Sequence, residues 1–184
     1  DLISDNNQLL VDSNLKNEIY KNRSDNLIFF DSNDSIDSDI DFVFAVGGDG
    51  TILRSITYVK DSDITILGVN TGRLGFLTSV QKESISDAIS NIKNNQFSVI
   101  KRTVLKVNLS SSNNPFSNYP HALNEVTIQR KDSTSLLNIS CQINDKYLTN
   151  YWSDGLIISS PTGSTGYSLS NGGSIVSPES NVIL

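Results

Sequence analysis

The chain has 184 residues, with 14 Lys and Arg against 20 Asp and Glu, and a formal net charge of −6. This length allows one domain or two small ones, and the acidic balance lacks the overall basic footprint of a protein that binds nucleic acid or an anionic membrane. The single cysteine excludes a disulfide framework within the chain and any Cys-rich zinc module. No apolar run approaches the roughly 20 residues of a membrane-spanning helix, and no leader pattern opens the chain, so we expect a cytoplasmic protein.

The first 41 residues are polar and rich in Ser, Asn and Asp, with one apolar run at Leu27–Phe30. The composition of Asp31–Asp41 predicts a solvated loop. This segment lacks the fixed glycine and the closing glutamate of a calcium-binding loop, so we do not expect it to hold a metal ion. The sequence contains no methionine, not even at position 1, so we expect a piece of a longer protein.

Between Asp41 and Gln96 the pattern predicts alternating strands and helices. Phe42–Val46 is a continuous apolar run, typical of a strand buried on both faces, and Ile64–Val69 is predicted as the next strand. Apolar residues at helical spacing follow each strand: Ile52, Leu53, Ile56 and Val59 after the first, and Ile85, Ala88, Ile89 and Ile92 after the second. This order predicts an α/β domain with a parallel, Rossmann-like sheet.

Beyond Gln96 the pattern changes to successive strands without helices between them. The four predicted strands are Phe97–Leu109, Ala122–Arg130, Leu136–Ile143 and Lys146–Tyr151, with Asn144-Asp145 as a tight hairpin turn. They predict a β-rich, mostly antiparallel second domain. The boundary falls near Gln96–Ile100, which gives an α/β domain over residues 1–98 and a β-rich domain over residues 99–184.

The segment Gly47-Gly48-Asp49-Gly50-Thr51 lies between the first predicted strand and its helix. Glycines there let backbone N–H groups approach a ligand, and the N-terminus of a helix favours an anion. The spacing matches neither the dinucleotide fingerprint nor the P-loop. Because a carboxylate repels phosphate, Asp49 suggests a base for an attacking hydroxyl or a ligand to nucleotide-bound magnesium. Alternatively, Asp49 only caps the helix at Thr51, and spacing alone leaves these alternatives open.

A second strand–loop–helix passage begins at Asp154 and is dense in glycine and hydroxyl residues after its strand, Leu156–Ser159. Thr165 and Ser168 could donate hydrogen bonds to ribose, base or phosphate oxygens, and Tyr167 could pack its ring on a base. The alternative is an ordinary helix start with Ser and Thr caps.

Phosphate charge has to be met locally because the chain as a whole is acidic. Arg54, one turn into the helix after the glycine segment, and Arg73 are the candidates.

Asn124-Glu125 opens a further predicted strand. A buried Asn–Glu pair can recognise donor and acceptor groups together, such as an adenine edge or a ribose diol, whereas a polar pair at a sheet edge would have no such role. His121 has no second histidine to work with and is predicted to be a loop residue. Cys141 lies on the apolar face of its predicted strand, where a packed thiol is expected.

In this order, the three constellations resemble the NAD kinase family. The resemblance is carried by GGDGTILR (Gly47–Arg54), ILGVNTGRLGFL (Ile66–Leu77), LNEVTIQR (Leu123–Arg130) and WSDGLIISSPTGSTGYSLSNGG (Trp152–Gly173). Lipid kinases and phosphofructokinases have loops similar to GGDG. In the lipid kinases, however, an Asn-Glu pair tends to follow this loop within a few residues, whereas here the pair lies in a separate strand.

The resemblance implies transfer of the γ-phosphate of ATP, or of another phosphoryl donor, to the 2′-hydroxyl of the adenosine ribose of NAD. By position, it implies that Asp49 is the catalytic base, that Gly50 and Arg54 belong to the nucleotide-binding loop, and that Asn124 and Glu125 hold adenine and ribose. The remaining dinucleotide contacts that it implies are Asp154, Thr165, Gly166, Tyr167, Ser168, Leu169 and Ser170.

The resemblance also implies an active site between the two domains and a homo-oligomer, either a dimer or a tetramer, that binds small-molecule nucleotides. From the acidic composition we expect neither nucleic acid nor a membrane as a partner. We expect Mg²⁺ to arrive on the donor phosphates, because the sequence shows no protein metal cage. Family members usually open with a further strand and continue past Leu184, so the chain is expected to be truncated at both ends. The alternatives are a dinucleotide-binding fragment without turnover and a lipid kinase of the same superfamily.

Overall fold

The structure is a computed structural model that describes residues 7–19, 27–31, 36, 39–60, 62–72, 75–117, 119–132 and 134–184. Its first sheet pairs β1 (Leu9–Asp12) with β2 (Leu27–Phe30) in parallel, with Leu9 opposite Leu27. A 3₁₀ turn over Ser13–Leu15 and a short helix, α1 (Lys16–Ile19), follow β1. The apolar run before residue 31 is therefore a strand, and its partner β1 was not predicted.

The second parallel sheet contains the strands predicted from the continuous apolar runs. It consists of β3 (Phe42–Gly47), β4 (Thr65–Asn70) and β5 (Val80–Gln81), in that spatial order. Helix α2 (Asp49–Val59) connects the first two strands, and a 3₁₀ turn over Lys82–Ser84 leads from the third into α3 (Ile85–Lys93). The predicted α/β pattern of this region is confirmed.

Both helices use the faces that their spacing predicted. In α2, Ile52 and Val59 are buried, and Ile52 packs so closely on β4 that a Cβ at Gly68 would overlap its side chain. In α3, the predicted apolar stripe is half-buried while the other positions are exposed. The close helix–strand contact at Gly68 fixes the start of α2 relative to the carboxyl ends of β3 and β4, where Gly47 lies opposite Asn70.

The second half of the chain is built from antiparallel pairs, as predicted. Strand β6 pairs with β7, β8 with β11, and β9 with β10. Their bounds, together with those of the closing short helix, are β6 (Leu105–Lys106), β7 (His121–Ala122), β8 (Glu125–Gln129), β9 (Leu137–Ile143), β10 (Lys146–Ser153), β11 (Gly155–Ser159) and α4 (Tyr167–Ser170).

Three predictions in this half are wrong in detail. Only β6 forms within the predicted strand 97–109, because in the described part of the chain no neighbouring backbone pairs with residues 97–104. The predicted strand 122–130 is divided into β7 and β8, because the Asn124 carbonyl accepts the Ser160 N–H (2.8 Å) and the Leu123 carbonyl accepts the Ser160 hydroxyl. His121 lies in β7, opposite Lys106, and not in a loop.

The hairpin between β9 and β10 is confirmed. Asn144 and Asp145 both have positive φ angles, 50° and 62°. Two consecutive residues with positive φ define a type I′ turn, whose twist matches that of the paired strands, and Asn and Asp tolerate this conformation. Of the apolar residues on β9, Cys141 is a half-buried free thiol opposite Thr149 of β10.

Asp12 and Tyr58 connect the first sheet to α2. The Tyr58 hydroxyl donates a hydrogen bond to Asp12 Oδ2 (3.0 Å), and the Tyr58 ring meets the Phe30 ring edge-on at 5.4 Å. Partial burial opposes ionisation of Asp12. It is outweighed by the hydrogen bonds from the Asn14 backbone, the Tyr58 hydroxyl and the Asn14 side chain, together with the charge of Arg54, so the pKa of Asp12 lies below its ordinary 3.8. Burial and the bond to Asp12 raise the pKa of Tyr58.

This lowered pKa predicts a pH-dependent stability. Because the folded state favours the ionised carboxylate, the contribution of Asp12 is fully present above its unfolded pKa of about 4 and is lost as the pH falls through the lower folded pKa. We expect Asp12→Asn to lower the free energy of unfolding at pH 6, with a difference from the parent chain that shrinks as the pH falls toward 3. Denaturant unfolding of both proteins from pH 3 to 7 measures this difference. A constant difference across this range would contradict the assignment.

Candidate functional site

Asp49 is the first residue of α2, and its carboxylate holds the loop that follows β4. Asp49 Oδ2 accepts the Phe76 N–H at 2.8 Å, and Oδ1 accepts the Leu77 N–H at 3.0 Å. The N-cap residue is Gly48, and the Thr51 N–H bonds to the Gly48 carbonyl. The alternative that Asp49 caps the helix at Thr51 is therefore wrong. The carboxylate instead joins the N-terminus of the helix to a second loop.

The glycines around Asp49 divide into two kinds. A Cβ at Gly75 would overlap the Asp49 carboxylate, so this glycine is needed for the close approach of the loop. A Cβ at Gly48 or Gly50 would meet no atom within 4 Å. These two glycines therefore leave open space beside the N-terminus of an 11-residue helix, where backbone N–H groups and the helix dipole favour an anion.

Of the two arginines proposed to compensate phosphate charge, the structure describes only Arg54. Arg54 is exposed on α2, one turn after the glycines and one turn before Tyr58, which places its guanidinium near Asp12. Arg73 lies outside the described residues.

A network of buried hydroxyls positions Asn124 and Glu125. Ser159, Ser160 and Ser164 have no solvent exposure. The Ser159 hydroxyl donates to the Asn124 carbonyl (3.2 Å), and the Gly163 N–H donates to the Ser160 hydroxyl (3.2 Å). These bonds join the start of β8 to a 3₁₀ turn over Thr162–Thr165 that follows β11.

The same network brings the Gly166 backbone beside the Asn124 and Glu125 side chains. A Cβ at Gly166 would lie 3.1 Å from Glu125 Oε2 and 3.3 Å from Asn124 Nδ2. Glu125 Oε2 is buried and has no hydrogen-bond partner among the described residues, and the same is true of the Thr162 hydroxyl. Buried polar atoms are almost always paired, so each of these two atoms is a candidate for a hydrogen bond to a ligand.

Asp154 and Tyr167 line a cavity of about 370 Å³ between β8, β11 and the helix α4. The Arg130 guanidinium forms an ion pair with Asp154 (Nη1 to Oδ1, 3.0 Å), and the Arg130 N–H bonds to the Asp154 carbonyl (3.0 Å). The Tyr167 hydroxyl accepts a bond from the Gln129 side chain at 3.3 Å. The cavity thus combines an aromatic ring, an ion pair and an amide.

The other predicted residues in this passage have different exposures. Thr165 donates its hydroxyl to the Thr162 carbonyl (3.4 Å), and Ser168 is only 8% exposed. Leu169 and Ser170 are exposed at the end of α4.

The predicted site residues lie in three places in the structure. Asp49 and Gly50 lie with the 75–77 loop, and both hydrogen bonds that Asp49 makes with described residues go to that loop. Asn124 and Glu125 lie beside Gly166 where β8 begins, whereas Asp154 and Tyr167 line the cavity at the other end of β8 and β11.

Sequence reasoning did not single out Phe76, Thr162 or Arg130 as site residues. Phe76 is 74% exposed beside Asp49, and this exposure of a large apolar side chain became visible only in the structure. Arg130 closes the LNEVTIQR segment, and its position at the end of a predicted strand, in a chain with few basic residues, was the available signal.

Among the residues that the structure describes, no three His, Cys, Asp or Glu side chains lie close enough together to hold a metal ion. None of the described helices is long and apolar enough to cross a membrane.

Family models and curated proteins identify relatives of the chain. A family model described as the ATP-NAD kinase N-terminal domain matches residues 7–97, and one described as the ATP-NAD kinase C-terminal domain matches residues 123–184. NAD kinase of Flavobacterium johnsoniae is 42% identical over 178 residues, which cover 96% of this chain and 60% of that protein. NAD kinase of Christiangramia forsetii is 46% identical over 157 residues, which cover 84% and 53%. The chain thus spans 53% to 60% of the length of these relatives.

Solved structures show the same fold. The crystal structure of yeast NADH kinase complexed with NADH has a TM-score of 0.81 and 28% identity, over 96% of this chain and 55% of that one. An NAD kinase from Archaeoglobus fulgidus in complex with ATP has a TM-score of 0.67 and 25% identity, over 95% and 69%. The fold is therefore that of NAD and NADH kinases. The chain belongs to the NAD kinase family.

The contact between Gly75 and Asp49 can be tested without a ligand. We expect Gly75→Ala to displace the Asp49 carboxylate, to speed amide hydrogen exchange at Phe76 and Leu77, and to cost about 1–3 kcal/mol of stability. Gly72→Ala is the matched control, because a Cβ there meets no atom within 4 Å. Hydrogen exchange and thermal unfolding measure both effects. Equal exchange rates at these amides in the two variants would show that the carboxylate does not hold the loop.

Proposed function

We propose that the chain carries the site of an NAD kinase, which transfers the γ-phosphate of ATP, or of another phosphoryl donor, to the 2′-hydroxyl of the adenosine ribose of NAD. Membership of the family supports this reaction. The observation that carries it is the position of the Asp49 carboxylate between two glycines that leave open space at the N-terminus of a helix. That arrangement offers N–H donors for phosphate and an acceptor for a hydroxyl proton in one loop.

In the proposed reaction the 2′-hydroxyl oxygen attacks the γ-phosphorus, and the bond from this phosphorus to the bridging oxygen breaks. ADP leaves and NADP forms, while the hydroxyl proton passes to Asp49. A carboxylate offers about four lone-pair directions, of which the Phe76 and Leu77 N–H groups occupy two. Among the described residues, the other lone-pair directions of Asp49 are open for the ribose hydroxyl, while the loop holds the carboxylate in place.

The remaining residues would bind the two nucleotides. We propose that Gly50 and Arg54 contact the phosphates, and that Asn124 and Glu125 hold the adenosine of NAD. The unpartnered Glu125 Oε2 supports this, because a ribose hydroxyl or an adenine amino group would supply the missing donor. Further dinucleotide contacts are proposed for Asp154, Thr165, Gly166, Tyr167, Ser168, Leu169 and Ser170.

Because the described residues form no metal cage, the proposed Mg²⁺ would be held by the donor phosphates. When bound, it would neutralise charge on the transferred phosphoryl group. We further propose that residues 1–98 and 99–184 form two domains with the site between them, in a cytoplasmic homo-oligomer. These proposals follow from the family.

The role of Asp49 is tested by Asp49→Asn. Asparagine keeps one acceptor oxygen for the loop but cannot take the hydroxyl proton, so we expect kcat to fall by roughly 10²–10⁴-fold with NAD binding retained. Losing one of the two loop bonds should cost about 1–3 kcal/mol of stability. Asp87→Asn, which removes the same charge from the first turn of α3, is the control.

Steady-state kinetics, calorimetry with NAD and thermal unfolding distinguish the outcomes. Near-normal turnover by Asp49→Asn would exclude Asp49 as the general base for the 2′-hydroxyl. Loss of magnesium-dependent ATP binding, with NAD binding intact, would make Asp49 a metal ligand instead. NAD binding by the parent chain without NADP formation would favour a binding fragment without turnover, and phosphorylation of a diacylglycerol or sphingoid base in place of NAD would indicate a lipid kinase.

Glu125→Gln tests the binding of adenosine. The substitution removes the charge of a carboxylate whose buried oxygen is proposed to receive a hydrogen bond from NAD, an effect of about 1–3 kcal/mol. We expect the KM for NAD to rise by about tenfold while the KM for ATP changes little. Glu179→Gln removes the same charge at an exposed position and should leave both constants unchanged. Equal increases of both KM values in Glu125→Gln would count against the assignment.

A further inference from the structure

Arg130 is joined to Asp154 twice. The Arg130 N–H donates to the Asp154 carbonyl at 3.0 Å, which continues the pairing of β8 with β11, and the guanidinium forms an ion pair with the carboxylate at 3.0 Å. The side chain of Asp154 is 69% exposed, whereas that of Arg130 is only 30% exposed. The more buried partner therefore anchors the more exposed one.

An anchored carboxylate has a smaller entropic cost of binding than a mobile one. An exposed Asp side chain can occupy several rotamers in water, and ligand binding has to select one of them. The ion pair favours one of these rotamers, and the carboxylate lies among the residues that line the cavity, together with Gln129 and Tyr167. The ion pair joins Nη1 to Oδ1 at 3.0 Å, and the 69% exposure of the Asp154 side chain leaves its carboxylate accessible to a ligand.

We propose that Arg130 is a positioning residue that orients Asp154 toward NAD. The inference rests on the proposed function, because it takes Asp154 to be an NAD contact. Arg130 also lines the cavity, but its guanidinium is paired with the Asp154 carboxylate, so its proposed effect on NAD passes through Asp154. A positively charged residue used to bind phosphate directly would lose strength from such a partner.

A double-mutant cycle tests this role. The dissociation constant for NAD is measured by calorimetry for the parent chain, Arg130→Gln, Asp154→Asn and the double variant. We expect Arg130→Gln to weaken NAD binding by about five- to tenfold, and the double variant to bind no more weakly than Asp154→Asn alone, because residues that act as one unit have non-additive effects. Arg130→Lys should recover part of the loss, since one N–H donor suffices for a contact with one oxygen.

Lys131→Gln is the matched control, because it removes the same charge from the neighbouring, exposed position. It should leave NAD binding unchanged. Additive losses in the cycle would overturn the proposal, because they would show that Arg130 affects NAD binding independently of Asp154. Unchanged NAD binding by Arg130→Gln would also overturn it, and a lowered thermal stability of that variant would then show that the ion pair is only structural. A parent chain that binds NAD but forms no NADP would contradict the proposed function and leave the outcome of this cycle intact.

Discussion

The hydrogen bonds from the buried serines to the carbonyls of Leu123 and Asn124 determine where β8 begins and where the segment after β11 lies. Ser159 and Ser160 have no solvent exposure, so their hydroxyls have to find partners within the protein. They find them where β7 ends and β8 begins, which breaks the predicted strand there and brings the 162–166 segment against Glu125. Gly163 is needed at this contact, because a Cβ would overlap the Asn124 carbonyl. The buried serine hydroxyls thus support the part of the candidate site that contains Asn124 and Glu125.

Continuous apolar runs, helical spacing and turn residues made much of the fold predictable. β3, β4, α3 and the hairpin at Asn144 follow from local sequence, because burial on two faces, one apolar stripe and positive φ each leave a local signal. The strand β1 has only four residues, and its partner β2 lies 18 positions along the chain, so its pairing leaves no such signal. Residues 97–104 include apolar side chains, but in the described structure they form no strand pairing.

The residue types of the candidate site were predictable, but the bonds that hold them were not. A carboxylate among glycines at Asp49 indicated phosphoryl chemistry, yet its two bonds to the 75–77 loop depend on where the backbone N–H groups of a distant segment point. The ion pair of Arg130 with Asp154 likewise depends on the register of β8 against β11, which places Gln129 opposite Gly155. Contacts between side chains that are distant in sequence depend on the tertiary structure, so the pattern of a single sequence does not predict them.

The three carboxylates of the candidate site differ in how their charge is compensated. Asp49 has two backbone N–H groups and Asp154 has a guanidinium, so both are fixed before any ligand arrives. Glu125 has a buried oxygen without a partner among the described residues, and burial of an unpaired polar atom costs free energy. A ligand that donates a hydrogen bond to this oxygen recovers that cost, whereas a ligand without a donor leaves it in place. Such a group discriminates strongly between ligands with and without a donor, because a ligand that lacks the donor leaves the buried oxygen unpaired. Fixed carboxylates therefore suit orientation and proton transfer, and the unpaired one suits selection of the nucleoside.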